Sequence, residues 1–214
     1  YASSIIGLEM YEKSDYDNSY KYYTLAYSQN YYKAISYIAS LHTFRKEYDK
    51  AFELYKIGHD KKYIDSSIGL AYWYYYGQRI SSGPGKPDYN VAREIVEEIY
   101  RTYPESESWK ACAIYGKMYL EGNGVMQDWD RAYKYFEIGT QHLIPDCMLS
   151  LAQILREPGG NYKADNIRAK ELYEKVVNQD HVHRLDKGYA YYNLAEMYSI
   201  RQINDITDSE RKDY

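Results

Sequence analysis

The sequence predicts an all-α fold, a right-handed α-solenoid in which antiparallel helix pairs stack along the chain. Three observations lead to this prediction. One apolar pattern occurs six times at helical spacing, a second pattern alternates with it, and the step from copy to copy varies. A coiled coil requires a constant heptad, whereas a solenoid accommodates loops of different length between its helices.

The first pattern has a small residue, a large residue four positions later, Gly or Ala beside it, and another large residue three positions further on. Spacings of four, five and eight residues place these side chains on one helical face, so each copy predicts an A helix. The six copies are Ala2, Ile6, Gly7 and Met10; Ala34, Ile38, Ala39 and His42; Ser66, Leu70, Ala71 and Tyr74; Ala111, Tyr115, Gly116 and Tyr119; Cys147, Leu151, Ala152 and Leu155; and Ala190, Leu194, Ala195 and Tyr198.

The second pattern predicts a B helix, in which a small residue is followed at +4 and +7 by large, apolar or small residues. An aromatic residue and an Asp or Asn precede four of the five copies, and this Asp or Asn is expected to be the N-cap. The small residues stand 32, 41, 40 and 37 positions apart. The copies are Ser19, Tyr23 and Ala26; Ala51, Tyr55 and Gly58; Ala92, Val96 and Ile99; Ala132, Phe136 and Gly139; and Ala169, Tyr173 and Val176, with Asp17, Asp49, Asn90 and Asp130 as the expected caps.

Five full repeats and a sixth A helix are therefore expected in a single domain spanning 1–214. The approximate repeats are 1–31, 32–63, 64–106, 107–143, 144–180 and a partial 187–214. Clusters of Gly, Pro and polar residues predict exposed loops at 78–88, 157–165 and 179–187. Residues 201–214 either start a sixth B helix or connect the repeats to a later part of the polypeptide. Neither end has the polar cap usual in solenoids, which suggests a longer polypeptide or ends covered by a partner.

Composition excludes several classes of partner. The net charge of −4 gives no basic surface for nucleic acid, and no apolar run is long enough for membrane insertion. Two cysteines and the lack of an Asn-x-Ser/Thr acceptor favour a reducing compartment, with the ER lumen and secretion left open. The 31 tyrosines suit half-buried positions on thin helical layers, because the ring is apolar and the hydroxyl polar.

No pattern predicts catalysis, a metal or a cofactor. Gly122 and Gly124 lack the Lys-Ser/Thr of a phosphate loop and are expected to form a helix-to-helix turn with one positive φ. The pair His181 and His183 has no further ligand nearby, so it is expected to be solvated. The cysteines, Cys112 and Cys147, are expected to be buried thiols that pack as small apolar side chains.

The fourth repeat resembles the Sel-one-like repeat family, and the other repeats keep its helix positions. Its consensus residues are a small residue, Leu-Gly and Tyr, then Gly-x-Gly-Val, Asp, Lys-Ala and paired aromatics. This chain matches them with Ala111, Tyr115, Gly116, Tyr119, Glu121, Gly122, Gly124, Val125, Asp128, Arg131, Ala132, Tyr135 and Phe136. The resemblance extends from Tyr1 to about Ile200. It implies a tetratricopeptide-like helical repeat fold whose A helices line a concave surface where partners bind.

The stretch 71–77, AYWYYYG, is the strongest candidate for a binding site. The repeat register places Tyr72, Tyr75 and Tyr76 opposite the core positions of their A helix. The flanking A helices place Ser40 and Phe44 before them and Lys117 after them at equivalent positions. Aromatic rings between polar flanks are typical of a peptide-binding hot spot. Alternatively, the tyrosines pack under the 78–88 loop.

Three functions are consistent with these features. The first is a non-catalytic adaptor that binds a protein or peptide on its concave face, as the resemblance implies. The second is the regulatory repeat module of a larger enzyme, which would carry further domains in the same polypeptide. The third is a carbohydrate-binding surface, because stacked tyrosines also suit sugar rings.

Overall fold

The computed structural model describes residues 2–12, 15–77, 85–157, 164–180, 182 and 184–211, with side chains for all of them except Glu12 and residues 200–211. Every regular element in these ranges is helical, which confirms the all-α prediction. The helices are α1 (Ala2–Glu12), α2 (Tyr16–Ser28), α3 (Ala34–Phe44), α4 (Tyr48–Asp60), α5 (Ile64–Tyr76), α6 (Tyr89–Thr102), α7 (Glu105–Ser108), α8 (Cys112–Glu121), α9 (Trp129–Gln141), α10 (Pro145–Arg156), α11 (Asn166–Asn178) and α12 (Arg184–Arg211). A 3-10 turn, Trp109–Ala111, precedes α8.

The A and B helices alternate as predicted. Helices α1, α3, α5, α8, α10 and α12 correspond to the A pattern, and α2, α4, α6, α9 and α11 to the B pattern. The chain forms two compact units, residues 1–127 and 128–214. In the first, α1 packs on α2, α3 on α4 and α5 on α6, and in the second α10 packs on α11. The single-domain organisation and the exact repeat bounds stay predictions.

The core consists of the residues that the two patterns selected. All fifteen residues of the five B-helix triads are buried, from Ser19 to Val176. The A-helix positions are fully buried in α3, α8 and α10, whereas Tyr74 in α5 is half-buried. In the first and last A helices, Ala2, Ile6, Ala195 and Tyr198 are exposed. The pattern therefore predicts burial less well in the first and last A helices than in those between them.

The predicted helix caps were wrong by two residues. The carboxylates of Asp15, Asp88, Asp128 and Asp165 precede α2, α6, α9 and α11, and each accepts a hydrogen bond from the backbone N–H three residues later. The predicted caps Asp17, Asp49, Asn90 and Asp130 instead lie in the first turn of their helices. Acidic residues are favourable there too, because the helix dipole is positive at its N-terminus.

The tyrosines of the first two repeats pack in the half-buried manner that their chemistry favours. A buried cluster of Tyr23, Ala26, Ala34, Ile38 and Leu41 is surrounded by partly buried residues. Those residues are Tyr11, Tyr16, Tyr20, Tyr27, Tyr31 and Leu54. The ring of Tyr23 also stacks on Tyr37, with 4.7 Å between centroids and 5° between planes. The partly buried tyrosines therefore extend this thin core toward the solvent, whereas Tyr23 is a fully buried core residue.

The last helix contradicts one of the two alternatives for residues 201–214, and the other, a connection to a later part of the polypeptide, stays a prediction. The helix continues without a break from Arg184 to Arg211, so a separate sixth B helix does not start at residue 201. Within the described residues, no helix combines the length and the apolarity needed to cross a bilayer. Parts of the predicted loops, 78–84 and 158–163, and both His181 and His183 lie outside the described residues.

Candidate functional site

The site begins at the C-terminal end of α5, where the chain turns back on itself. Gly77 has a φ of +60° and ends the helix, and a Cβ at this position would lie 2.2 Å from the backbone nitrogen of Pro87. The N–H of Asp88 donates to the carbonyl oxygen of Tyr74 at 2.8 Å, and the Asp88 carboxylate then caps α6. Residues 85–88 therefore bring the start of α6 against the end of α5.

Two of the predicted tyrosines form an ordered aromatic surface on α5. The rings of Tyr72 and Tyr76 are parallel, with 6.0 Å between centroids and 4° between planes. Tyr76 is 50% exposed, and Phe44, the equivalent residue one repeat earlier, is 54% exposed. Because the two residues hold the same repeat position, consecutive A helices each present an aromatic ring to solvent.

Lys117 of α8 is held next to this surface. Its ammonium lies 5.1 Å from the centroid of the Tyr76 ring and 3.5 Å from a carboxylate oxygen of Glu121. Burial lowers the pKa of Lys117, but Tyr76 and Glu121 outweigh it, so the net shift is upward. The side chain therefore carries a full positive charge at neutral pH, in a position fixed by a cation–π contact.

Tyr75 does not lie on the exposed surface, and this part of the site prediction was wrong. Only 3% of Tyr75 is exposed. Its hydroxyl donates to Glu121 Oε2 at 2.5 Å and accepts a hydrogen bond from Asn123 Nδ2 at 3.1 Å. Burial first, and then the hydrogen bond to Glu121, raise the pKa of Tyr75 far above its usual value. Tyr75 therefore positions Glu121 and offers no ring face to a partner.

The other two predicted residues lie apart from the tyrosine pair. Phe44 packs against Tyr16 of α2, with 4.2 Å between ring centroids. The hydroxyl of Ser40 donates to the carbonyl oxygen of Ser36 at 3.0 Å and shares a 2.9 Å hydrogen bond with the Tyr55 hydroxyl. Ser40 is thus half-buried and engaged within the protein, whereas Phe44 exposes its ring at the repeat position that Tyr76 holds in α5.

One residue of the glycine turn after α8, Asn123, belongs to the site although the sequence analysis did not single it out. Asn123 Nδ2 donates to Glu121 Oε2 at 2.8 Å, so the carboxylate is held from two sides. Both Gly122 and Gly124 have positive φ, +73° and +76°, where one was expected. A Cβ on Gly124 would lie 2.5 Å from the carbonyl oxygen of Tyr89. The turn has a structural role. The two glycines that flank Asn123 were the sequence signal for it, because their positive φ values turn the chain so that Asn123 reaches Tyr75 of α5.

The groups exposed at the candidate site are aromatic rings and a cation. Within the described ranges, no three His, Cys, Asp or Glu side chains are grouped closely enough to hold a metal ion. Cys112 and Cys147 are both buried thiols, at core positions of α8 and α10.

The repeat pattern corresponds to a known family. The Sel1 repeat model matches residues 6–31, 64–95, 109–140, 145–181 and 188–202, which is about two thirds of the chain. The chain belongs to the Sel1 repeat family. The resemblance predicted from the fourth repeat is thereby confirmed, and Sel1 repeats occur along most of the sequence. The segment 32–63 is not matched, although its helices α3 and α4 form the same kind of pair.

Solved structures confirm the solenoid fold. A Sel1 repeat protein from Oxalobacter formigenes is 21% identical, with a TM-score of 0.56 over 81% of this chain and 70% of that one. A putative Sel1 repeat protein from Klebsiella pneumoniae is 14% identical, with a TM-score of 0.58 over 92% and 90%. The protein c5321, a protective antigen of uropathogenic Escherichia coli, is 20% identical, with a TM-score of 0.50 over 92% and 40%.

At these identities the structural likeness supports the fold alone. No curated protein matches the sequence significantly. Sel1 repeat proteins generally serve as non-catalytic protein-interaction modules, and this is the level at which the family describes function.

Proposed function

We propose that this Sel1 repeat protein is a non-catalytic scaffold that binds a protein or peptide segment on the A-helix face of its first compact unit. The contact residues are Phe44, Tyr72, Tyr76 and Lys117, with Ser40 at the margin and Tyr75 as a positioning residue. The observation that carries the proposal is the exposed Tyr76 ring, which lies parallel to the ring of Tyr72 and close to the ammonium of Lys117. The absence of a catalytic function is part of the same proposal.

The geometry favours binding because the surface is ordered before a partner arrives. Tyr76 makes an edge contact with the buried Tyr75, whose ring centroid is 5.3 Å away. Tyr75 is in turn fixed by Glu121 and Asn123. A ring that is already immobilised loses little conformational entropy on binding, and exposed aromatics with a neighbouring cation are common in hot spots.

A carbohydrate ligand is the second candidate, favoured by the parallel Tyr72 and Tyr76 rings, on which sugar rings could stack. A third hypothesis, a regulatory module of a larger enzyme, depends on the complete reading frame. A catalytic domain encoded before residue 1 or after residue 214 would support it. The protein-binding proposal is compatible with that arrangement, because the repeats would then hold a segment of the enzyme.

The experiment compares capture by matched variants. The protein and its Tyr76→Ala and Lys117→Ala variants are used to isolate proteins from an extract of the native source, followed by mass spectrometry. A specific partner should be retained by the parent and lost by both variants. Tyr32→Ala is the control, because Tyr32 is a similarly exposed tyrosine of the same compact unit outside the proposed face. Equal capture by all four proteins would contradict the proposal, and loss of glycan-array binding by Tyr76→Ala would favour the carbohydrate.

A further inference from the structure

The last A helix, α12, exposes a face that is buried in its equivalents. Tyr191 is 57% exposed, Tyr198 is 45% exposed and Ala195 is exposed too. The equivalent residues of α3 and α10 are buried, and each of those helices packs on its own B helix, α4 or α11. The equivalents are Ile35, Ala39 and His42 in α3, and Met148, Ala152 and Leu155 in α10. Helix α12 therefore presents the A-type half of an A–B contact to solvent.

The same helix also carries the B-type half of that contact. Its residues 185–195, LDKGYAYYNLA, match residues 16–26 of α2, YDNSYKYYTLA, at six of eleven positions. In α2 the B triad Ser19, Tyr23 and Ala26 is buried against its neighbours. The matching triad of α12 is Gly188, Tyr192 and Ala195, and all three are exposed, Tyr192 by 62%. We define the α12 contact face as Gly188, Tyr191, Tyr192 and Ala195. Tyr198 lies at its edge, because Lys170 and Glu174 of α11 already contact its ring and hydroxyl.

The pair α1–α2 shows how the two halves fit together. The hydroxyl of Ser19 donates to the carbonyl oxygen of Gly7 at 2.8 Å. A Cβ on Gly7 would lie 3.1 Å from the ring of Tyr23, so the small residue fits against both. By repeat register, Ala195 corresponds to Gly7, while Gly188 and Tyr192 correspond to Ser19 and Tyr23. In two antiparallel α12 helices, Ala195 of one would lie opposite Gly188 and Tyr192 of the other. Gly188 has no side chain where α2 has that of Ser19, which leaves room for the Ala195 methyl group, and the Ser19 hydrogen bond has no counterpart there.

We propose that two copies of this chain associate through their α12 contact faces, as an antiparallel helix pair with twofold symmetry. Because one face holds both halves of the A–B contact, a twofold axis near Tyr192 makes both Ala195 contacts at once, as an isologous interface requires. A Cβ on Gly188 would have no atom within 4 Å, so there is open space for the approaching helix. The five B helices of a second copy cannot fill it, because their B triads are already buried.

The first test is the mass of the protein in solution, measured by sedimentation equilibrium over a concentration series up to about 1 mM. We expect a monomer–dimer equilibrium. Ala195→Glu should weaken dimerisation about 100-fold or more, because symmetry places two unpaired carboxylates in one interface. Leu25→Glu is the matched control, an exposed apolar residue of α2 in the other compact unit, and it should leave the equilibrium unchanged. A monomer throughout the series, or a dimer that Ala195→Glu does not weaken, would overturn the proposal.

The second test fixes the direction of the pair. In the double variant Gly188→Cys/Ala195→Cys, each new thiol lies near the other new thiol of the second copy, so mild oxidation should give a covalent dimer. Within one helix the two positions are about 10.5 Å apart along the axis, too far for an intrachain disulfide. The native thiols are buried and should not interfere. Ala195→Cys alone should remain uncrosslinked, and efficient crosslinking of this single variant would refute the antiparallel register.

Discussion

Tyr75 and Tyr76 are adjacent in sequence and have opposite roles. Tyr76 displays its ring to solvent, whereas Tyr75 points into the protein and binds Glu121 and Asn123. The ring of Tyr89 also packs against Tyr75 in an edge-type contact, with 5.3 Å between the ring centroids. The two residues should therefore respond differently to the same substitution.

We expect Tyr75→Ala to lower the free energy of unfolding by about 3 kcal/mol or more, because it removes a buried aromatic ring. Tyr75→Phe should cost about 1–2 kcal/mol, since the ring stays and Glu121 loses a hydrogen bond. Tyr76→Ala should change stability by less than about 1 kcal/mol. Urea unfolding followed by circular dichroism measures all three. Equal midpoints for Tyr75→Ala and Tyr76→Ala would show that Tyr75 is not a core residue.

Glu47 gives a prediction about pH. Its carboxylate lies 2.5 Å from the ring Nδ1 of the buried His42 and 3.3 Å from Lys50. The hydrogen bond to His42 is the largest influence and lowers the pKa of Glu47. A carboxylate with a lowered folded-state pKa stabilises the fold above its unfolded-state pKa, and this contribution disappears as the pH falls through the folded-state value.

His42→Ala should therefore raise the pKa of Glu47 toward its ordinary value, and stability should become less sensitive to acid in that range. Carbon-detected NMR titration of the Glu47 carboxyl group measures the shift directly. Lys50→Ala is the control and should raise the pKa by less, because the hydrogen bond from lysine is a smaller influence. An unchanged Glu47 pKa in His42→Ala would mean that the contact does not form.

At the level of helices, the N-cap of α9 can be tested by substitution, because the structure assigns it to Asp128 and the sequence pattern predicted Asp130. Asp128 accepts the N–H of Arg131 at 2.9 Å, whereas Asp130 lies inside the first turn of α9. We expect Asp128→Ala to destabilise the protein by about 1 kcal/mol, and Asp130→Ala by about half as much or less. Thermal unfolding of the two variants provides the comparison. A larger loss of stability in Asp130→Ala than in Asp128→Ala would indicate that Asp130 is the N-cap, as the sequence pattern predicted.

Replacement by alanine should have opposite effects on stability at two helical glycines, Gly58 and Gly188. A Cβ on Gly58 of α4 would lie 2.4 Å from Ser66 Cβ in α5, whereas a Cβ on Gly188 of α12 would meet nothing within 4 Å. Gly58→Ala should therefore destabilise the protein by about 1–3 kcal/mol despite its better helix propensity. Gly188→Ala should stabilise it by about 0.5–1 kcal/mol.

Chemical denaturation at a protein concentration low enough to keep the chain monomeric measures both effects. Ser66→Gly combined with Gly58→Ala should recover part of the loss, because it removes the atoms that clash. Stabilisation by Gly58→Ala alone would show that α4 and α5 are packed less closely than the structure indicates.

For the whole molecule, the sequence predicted the burial of those residues that follow a helical period. The triad Ala132, Phe136 and Gly139 is buried as expected, since a small–large–small spacing on one helical face leaves few other ways to pack. The same reasoning failed for Tyr75, whose burial depends on Glu121, 46 residues later, and on the turn that carries Asn123. It also failed for Ala195, because the pattern identifies a face but not whether a neighbour covers it.

Each compact unit contains one cysteine, so the local opening of the two units can be measured separately. Cys112 belongs to residues 1–127 and Cys147 to residues 128–214, and neither has measurable exposure in the folded protein. A thiol reagent can modify such a side chain only when the structure around it opens, so its labelling rate reports the free energy of that opening. Mass spectrometry of the two tryptic peptides that contain Cys112 and Cys147 would thus give both labelling rates, and so the free energy of opening around each cysteine, from one sample of the protein without engineered cysteines.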